Sequence, residues 1–377
     1  MRFLLAGCLL AAATAHAEAC TFCADGLAGR QPLSHHYAAA KFVAFGTLKN
    51  PRPAPDGLGG TTEFHVATIH KATPAFAATT VVVLPRYIPV IGDTPPEYLL
   101  FALEADGKLD PLHGTPTTTA VSAYLRDAAK LNRADAAALG FFFRKLDDAD
   151  AAIAADAFVE FARAGDRDIQ KAAPHLNRLK IRAWLTDPKT SEERVGVYAM
   201  MLGLCGTHDD AAWLAALLNR APLADRYASN LGGLLAGLTL LDAASGWKQT
   251  QAALADAKLP IASRLSAVNT LRYFQATREK ECKPQLLACY AKLLDAGDFA
   301  DMAADDLRRF GWWDLTATVL AGFDKPTHKA PAVRRGILRY ALGCPDDAAK
   351  AFVVGVRAKE PALVKKVEDG LKLYGVK

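Results

Sequence analysis

The chain has 377 residues, 45 basic and 40 acidic side chains, a formal net charge of +5 and 51% hydrophobic residues. That composition is ordinary for a globular protein, which excludes a wholly disordered chain and a collagen-like fibre. The charge is too evenly spread to call for a nucleic-acid partner, and the length suits two domains.

Met1-Arg2 leads into an apolar run from Phe3 to Ala15 and the small-residue pattern Ala15-His16-Ala17. One positive charge, an apolar core and an A-x-A site predict a secretory signal over 1–17. The run falls short of the ~20 apolar residues of a membrane-spanning helix. The expectation is an exported protein, periplasmic or secreted, with no transmembrane segment after signal removal. Ala17-Glu18-Ala19 offers a second cleavage site that would leave Cys20 first, and Leu5-Ala6-Gly7-Cys8 has the look of a lipid-anchoring motif through Cys8.

Cys20, Cys23, Cys205, Cys282, Cys289 and Cys344 lie beyond the signal. Cys205 and Cys344 sit in apolar helical patterns and read as buried thiols. Cys282 and Cys289 are two helical turns apart, about 10 Å, too far for a disulfide on a straight helix. Cys20-x-x-Cys23 leaves three readings open: a local disulfide or structural thiols, a zinc site recruiting His35 and His36, or a redox pair. Haem attachment is excluded because Ala24, not histidine, follows Cys23. No resident cofactor is expected, with zinc as the one alternative.

From about residue 38 to 113, short apolar or β-branched runs are cut by Pro and Gly. Lys41–Leu48, Thr61–His70, Thr79–Pro85 and Tyr98–Leu103 are the predicted strands, and Lys49–Gly60, with three prolines and three glycines, is the predicted loop. Asp106-Gly107 predicts a hairpin turn. These elements predict a small closed β-barrel over 18–116. Cys20-Thr21-Phe22-Cys23, Ala40–Gly46, Thr62–Val66 and Tyr98–Phe101, in that order, resemble the OB-fold barrel of the netrin-like module shared with tissue inhibitors of metalloproteinases. The resemblance implies a zinc-chelating N-terminal cysteine, a place Cys20 takes only after cleavage at Ala19. The family pattern is Cys-x-Cys and this chain has Cys-x-x-Cys, so protease inhibition stays an alternative.

Residues 117–377 show helical periodicity, as in Val197, Met200, Met201 and Leu204, with breakers every ten to twenty residues. Arg194, Arg264 and Arg334 stand 70 residues apart twice, each with Asp187, Asp256 or Asp324 upstream. The spacing equals two helical hairpins of about 35 residues. The arrangement resembles HEAT-like repeats, and the resemblance implies an aspartate–arginine ladder that fixes the register of an α-solenoid. Arg308-Arg309-Phe310-Gly311-Trp312-Trp313 is either a recognition patch or hairpin packing. No Walker loop, G-x-S-x-G elbow or H-E-x-x-H helix occurs, and the paired aspartates at 209–210 and 346–347 read as helix caps. The expectation is a non-enzymatic scaffold that binds a protein or envelope component. A thiol- or metal-dependent activity at Cys20 and Cys23 is the alternative.

Overall fold

The computed structural model describes residues 20–23, 30–55, 58–220 and 224–373; the signal sequence and Cys8 lie outside them. The chain divides into two compact units, Met1–Leu176 and Asn177–Lys377. Strand gives way to helix between Pro116 and Thr119, yet the first unit runs on through helices to Leu176. Among the described residues no helix is long and apolar enough to cross a membrane.

The first unit is built on an antiparallel sheet in the order β3-β2-β1-β4-β5: β1 Phe42–Pro53, β2 Gly60–Lys71, β3 Val81–Leu84, β4 Glu97–Ala105 and β5 Lys108–Pro116. The expected closed barrel is corrected: β3 and β5 are edges, and the sheet is open. Its edges are blunted by chemistry. β3 has four residues, and β5 carries Pro111 and Pro116, which cannot donate to a further strand.

β1 and β4 are buried on both faces, which explains the unbroken apolar run Tyr98–Ala102 where a half-buried strand would alternate. Phe42, Ala44, Leu48, Phe64, Tyr98 and Leu100 form the core on one face. Val43, Leu99 and Phe101 face the other way and pack with Leu125 of the helix Thr119–Ala128 and with Leu33 and Tyr37 of the helix Leu33–Ala39. Asp106 and Gly107 both have positive φ, 52° and 70°, and join β4 to β5 by the expected two-residue turn. The expected loop over Lys49–Gly60 is shorter than predicted, because β1 and β2 continue pairing to Pro53 and Gly60. A bulge between Lys49 and Arg52, with Asn50 at φ 48°, takes up Pro51 without breaking the ladder.

The helices that follow start on side-chain caps: Thr118, Asp135 and Asp150 accept from Val121, Ala137 and Ala152 amides. The helix Leu33–Ala39 has no such cap of its own, since Pro32 precedes it. Its first amide donates instead to Asp156 Oδ1 at 2.8 Å, and Ser34 Oγ donates to Glu160 Oε1 at 2.6 Å. Asp156 also accepts from Tyr124 Oη at 2.7 Å. Burial raises the pKa of Asp156, and nearby Glu160 adds to the rise, outweighing the Leu33 and Tyr124 hydrogen bonds. A carboxylate with a raised pKa loses stability as pH climbs from its unfolded value near ~3.9 through the folded one. Asp156→Asn keeps an acceptor for Leu33 and offers an amide to Tyr124, so urea melts at pH 7 should show a variant as stable as the native chain or more so. Asp156→Ala strands both donors and should cost about 1–3 kcal/mol in the same experiment.

In the second unit, helices lie in two rows. One row runs Glu192–Cys205, Leu231–Leu241, the first half of Ile261–Ala296, Ala300–Phe310, Pro331–Gly343 and Pro361–Leu373. The other holds His208–Leu218, Ala243–Ala255, the second half of Ile261–Ala296, Thr316–Ala321 and Asp347–Lys359. Ile261–Ala296 bends at Arg278, whose φ of −141° and ψ of 38° are non-helical. The helix Leu231–Leu241 is buried all round from Leu231 to Thr239, as a central helix with neighbours on both sides must be.

The stack repeats its contacts at one sequence step. Gly196 N to Asn230 Oδ1, Gly232 N to Ser266 Oγ, Arg264 to Asp298, Arg272 to Asp306, His328 to the Leu294 carbonyl and Arg339 to Asp305 each span 34 residues. A constant step of this size is what hairpins stacked in register produce, and it fits a helical repeat.

Candidate functional site

Cys20 and Cys23 are both buried, and their segment is tied to the helix Ala151–Arg163 and to the start of Asp166–Lys171 through Cys20 and Thr21. The Cys20 amide donates to the Ala162 carbonyl at 3.2 Å, and the Cys20 carbonyl accepts from the Cys23 amide at 3.3 Å. Thr21 lies between them and donates to Asp166, its amide at 3.1 Å and its hydroxyl by a short bond. With its nitrogen and carbonyl engaged inside the protein, Cys20 does not present the amine–carbonyl pair that zinc chelation at a protease requires. His35 and His36 lie on Leu33–Ala39, where His36 stacks on His113 of β5. Among the described residues no group of three or more His, Cys, Asp or Glu side chains is placed to hold a metal.

Of the remaining cysteines, Cys289 and Cys344 are buried, whereas Cys205 and Cys282 are only partly so. Burial pushes the Cys289 thiol up to about 12, and burial together with Asp210 pushes Cys205 up to about 11. Both stay protonated at neutral pH and make poor nucleophiles.

The histidine pair is the most distinctive contact that periodicity failed to show. The His36 and His113 rings lie 4.2 Å apart and 13° from parallel, with Phe101 5.7 Å from each and His35 6.0 Å from His36. Burial lowers the pKa of both. His113 and His35 depress His36 further, and Arg86 depresses His113. His70, bonded to Ser122 Oγ at 2.7 Å, is lowered by burial and by Arg126. A histidine kept neutral by the fold contributes stability above its unfolded pKa near ~6.5, and loses it as pH falls toward the lower folded value. Urea melts of the first unit's signal should weaken between pH 7.5 and 5, and His113→Gln should flatten that dependence.

Two of the three repeat arginines, Arg264 and Arg334, find acidic partners further along the stack than the resemblance implied. Arg264 is buried and pairs with Asp298 of the next hairpin, with Nη2 also on the Leu254 carbonyl at 3.1 Å and its guanidinium over Phe299 at 4.6 Å. Arg334 forks onto Glu360 at 2.9 and 2.6 Å and lies 4.0 Å over Phe323, with Asp324 acting only through its charge. Asp187 and Asp256 instead accept from Lys189 and Lys258 amides and shape turns. Arg194 reaches Tyr198 Oη at 3.4 Å. The Asp–Arg ladder is thus corrected at Asp187 and Asp256: two-residue turns take up those carboxylates, and Arg264 reaches Asp298 of the following hairpin.

Trp312 is buried and donates to Glu279 at 3.0 Å; Trp313 packs edge-on to Tyr340 at 5.0 Å. Arg308 lies 3.6 Å from Asp305, and Arg309 is exposed. The run packs one hairpin on the next more than it forms a patch.

The concave feature of the first unit is a cleft of about 720 Å³ walled by Leu33–Ala39, Ala136–Phe143, Ala151–Arg163 and Asp166–Lys171. Leu139 and Phe142 form part of its apolar lining, and Glu160 and Arg163 project from one helix face. Arg133 forks onto Glu160 at 2.7 and 3.0 Å and stacks 4.7 Å over Phe142, so its position is fixed twice. Sequence reading passed over these residues, although Asp156, Glu160 and Arg163 follow a helical i, i+4, i+7 stripe that marks a polar face.

No protein-family model and no curated protein matches the chain. Among solved structures, human deoxyhypusine hydroxylase in complex with glycerol is similar at 15% identity and a TM-score of 0.28, over 63% of this chain and 84% of that one. The expectation of a non-enzymatic chain finds no support in this match, which is to an enzyme. A likeness that slight transfers no reaction and no site to this chain.

Proposed function

We propose that the protein is an exported binding scaffold whose hairpin stack carries a protein partner in the cell envelope or outside it. The observation that supports this reading is the 34-residue step of hydrogen bonds and ion pairs, which stiffens two rows of helices into one extended surface. The same step supports kinship with HEAT-like repeats. The strand order, in which β1 pairs with both β2 and β4, is also the order in OB barrels, which supports the netrin-like reading of the first unit although its sheet is open between β3 and β5.

Ile261 and Leu265 lie one turn apart on the stack and are exposed, Ile261 by 68% of its surface. Val354 is exposed on a separate helix. A photo-crosslinking residue at each of these positions, in the producing cell, should yield a discrete protein adduct from Ile261 and Leu265. Absence of any adduct from all three positions would defeat the reading. Export is checked separately by intact mass, with a mature chain beginning at Glu18 or Cys20 expected.

A further inference from the structure

The positive charge of the helical unit gathers at its last helices. Lys325 to Leu373 hold eleven basic and five acidic side chains, although the whole chain carries a net charge of only +5. Four of those acids are engaged: Asp347 with Lys350, Glu360 with Arg334, Glu368 with Arg357, and Asp346 as acceptor from Thr316. Asp369 alone of the five has no such partner among the described residues. Lys365, Lys366 and Lys372, all exposed on the helix Pro361–Leu373, make no side-chain ion pair or hydrogen bond among the described residues. The cations there outnumber the one unanswered carboxylate.

Helical spacing gathers them on one outer face. Val364 and Val367 are buried against the stack, and the lysines project away from it. Arg357 of the helix Asp347–Lys359 reaches Glu368, which stands between Lys365 and Lys372 at i−3 and i+4. Val354, one turn before Arg357, therefore adjoins the same surface with 65% of its own exposed, and Leu373 is 81% exposed. Protein partners are anchored mainly by tryptophan, tyrosine and arginine, which this face does not offer unpaired. Lysines around bare aliphatic tips suit a lipid–water interface, where the tips enter the acyl boundary and the long stems reach the phosphates.

We propose that this outer face of the last two helices docks on an anionic phospholipid bilayer, with Lys365, Lys366 and Lys372 at the headgroup phosphates and Val354 and Leu373 in the acyl boundary. The inference goes beyond the protein-binding reading and does not rest on it, since Ile261 and Leu265 belong to a different helix.

The test is flotation of the full chain with vesicles of phosphatidylcholine, alone or mixed with phosphatidylglycerol. Binding to the anionic vesicles is expected to be at least about 10-fold tighter than to the neutral ones, and to weaken as salt is raised toward about 0.5 M. Combining Lys365→Gln, Lys366→Gln and Lys372→Gln should weaken anionic binding at least about 10-fold. Lys189→Gln, Lys248→Gln and Lys258→Gln together remove the same charge from exposed positions elsewhere in the unit and should change it less than about 2-fold. Val354→Ser with Leu373→Ser should weaken it by about 3-fold or more. Equal affinity for both vesicle types, or equal loss in the two triple variants, overturns the proposal. So does tighter binding to poly-L-glutamate than to the anionic vesicles at matched charge, which would mark an acidic protein as the ligand.

Discussion

Gly233→Ala is expected to destabilise the helical unit by about 3 kcal/mol, the upper part of the usual range for an overfilled core. A Cβ at this position would lie 2.1 Å from the Gly196 carbonyl oxygen and 2.5 Å from Gly196 C and Cα. Those atoms are backbone of the neighbouring helix, so no side chain can turn aside; the two helices must part. The helix cannot shift away freely either, because Gly232 on the same helix meets the Ser266 carbonyl of the next one, where a Cβ would lie at 1.9 Å. In a unit of this size, a loss of that order lowers the melting temperature by about 10 °C. Gly355→Ala is the counterpart, for nothing lies within 4 Å of a Cβ there. It removes a flexible residue from the helix Asp347–Lys359 and should gain up to ~1 kcal/mol. Equal melting of Gly233→Ala and the native chain would mean the two helices do not cross at these glycines.

Asp210→Ala is expected to cost about 3–5 kcal/mol, as removal of one partner from a buried charge cluster does. Asp210 is fully buried and accepts from four donors: Arg178 Nη1 and Arg182 Nη1 at 3.1 Å each, the Thr207 amide at 2.9 Å and the Thr207 hydroxyl at 3.1 Å. It also closes a capping box at the start of His208–Leu218. Burial alone would raise its pKa, but the Thr207 bonds and the two arginines outweigh burial and hold it below the usual carboxylate range. A depressed carboxylate contributes stability above its unfolded pKa, near ~3.9, and loses it as pH falls through the folded value. Acid titration of unfolding should therefore show a fall below pH 4 that Asp210→Ala lacks. Asp168→Ala, whose side chain is 61% exposed, should change stability by no more than about 0.5 kcal/mol at pH 7.

Local chemistry carried the elements that sequence displayed. Asp106-Gly107 names its turn because only such residues tolerate positive φ at both positions. The 70-residue spacing of Arg194, Arg264 and Arg334 is twice the hairpin step that the structure shows as 34-residue contacts. Lys49–Gly60 misled because prolines in a long hairpin are read as breakers, whereas a bulge at Asn50 absorbs Pro51. Barrel closure was equally out of reach, since it depends on whether two edge strands meet and not on either strand's own sequence. The partners of the repeat arginines were hidden for a related reason. Asp256 is nearer to Arg264 in sequence than Asp298 is, but a turn amide takes its carboxylate first. Of the cleft, only Glu160 and Arg163, one turn apart on the same helix, were available beforehand. Its facing wall comes from Leu33–Ala39, which no local pattern connects with it.

The two units also differ in the order in which they can assemble. Thr21 waits for Asp166, 145 residues later, and Leu33 and Ser34 wait for Asp156 and Glu160, 123 and 126 residues later. A ribosome building the chain from its N-terminus finishes the whole sheet before it makes the carboxylates that fasten the opening segment. The first unit therefore closes late and all at once, and a chain ending at residue 150 would hold strands without their clasp. In the second unit each arriving hairpin finds its partner 34 residues back, so that unit grows by accretion as synthesis proceeds.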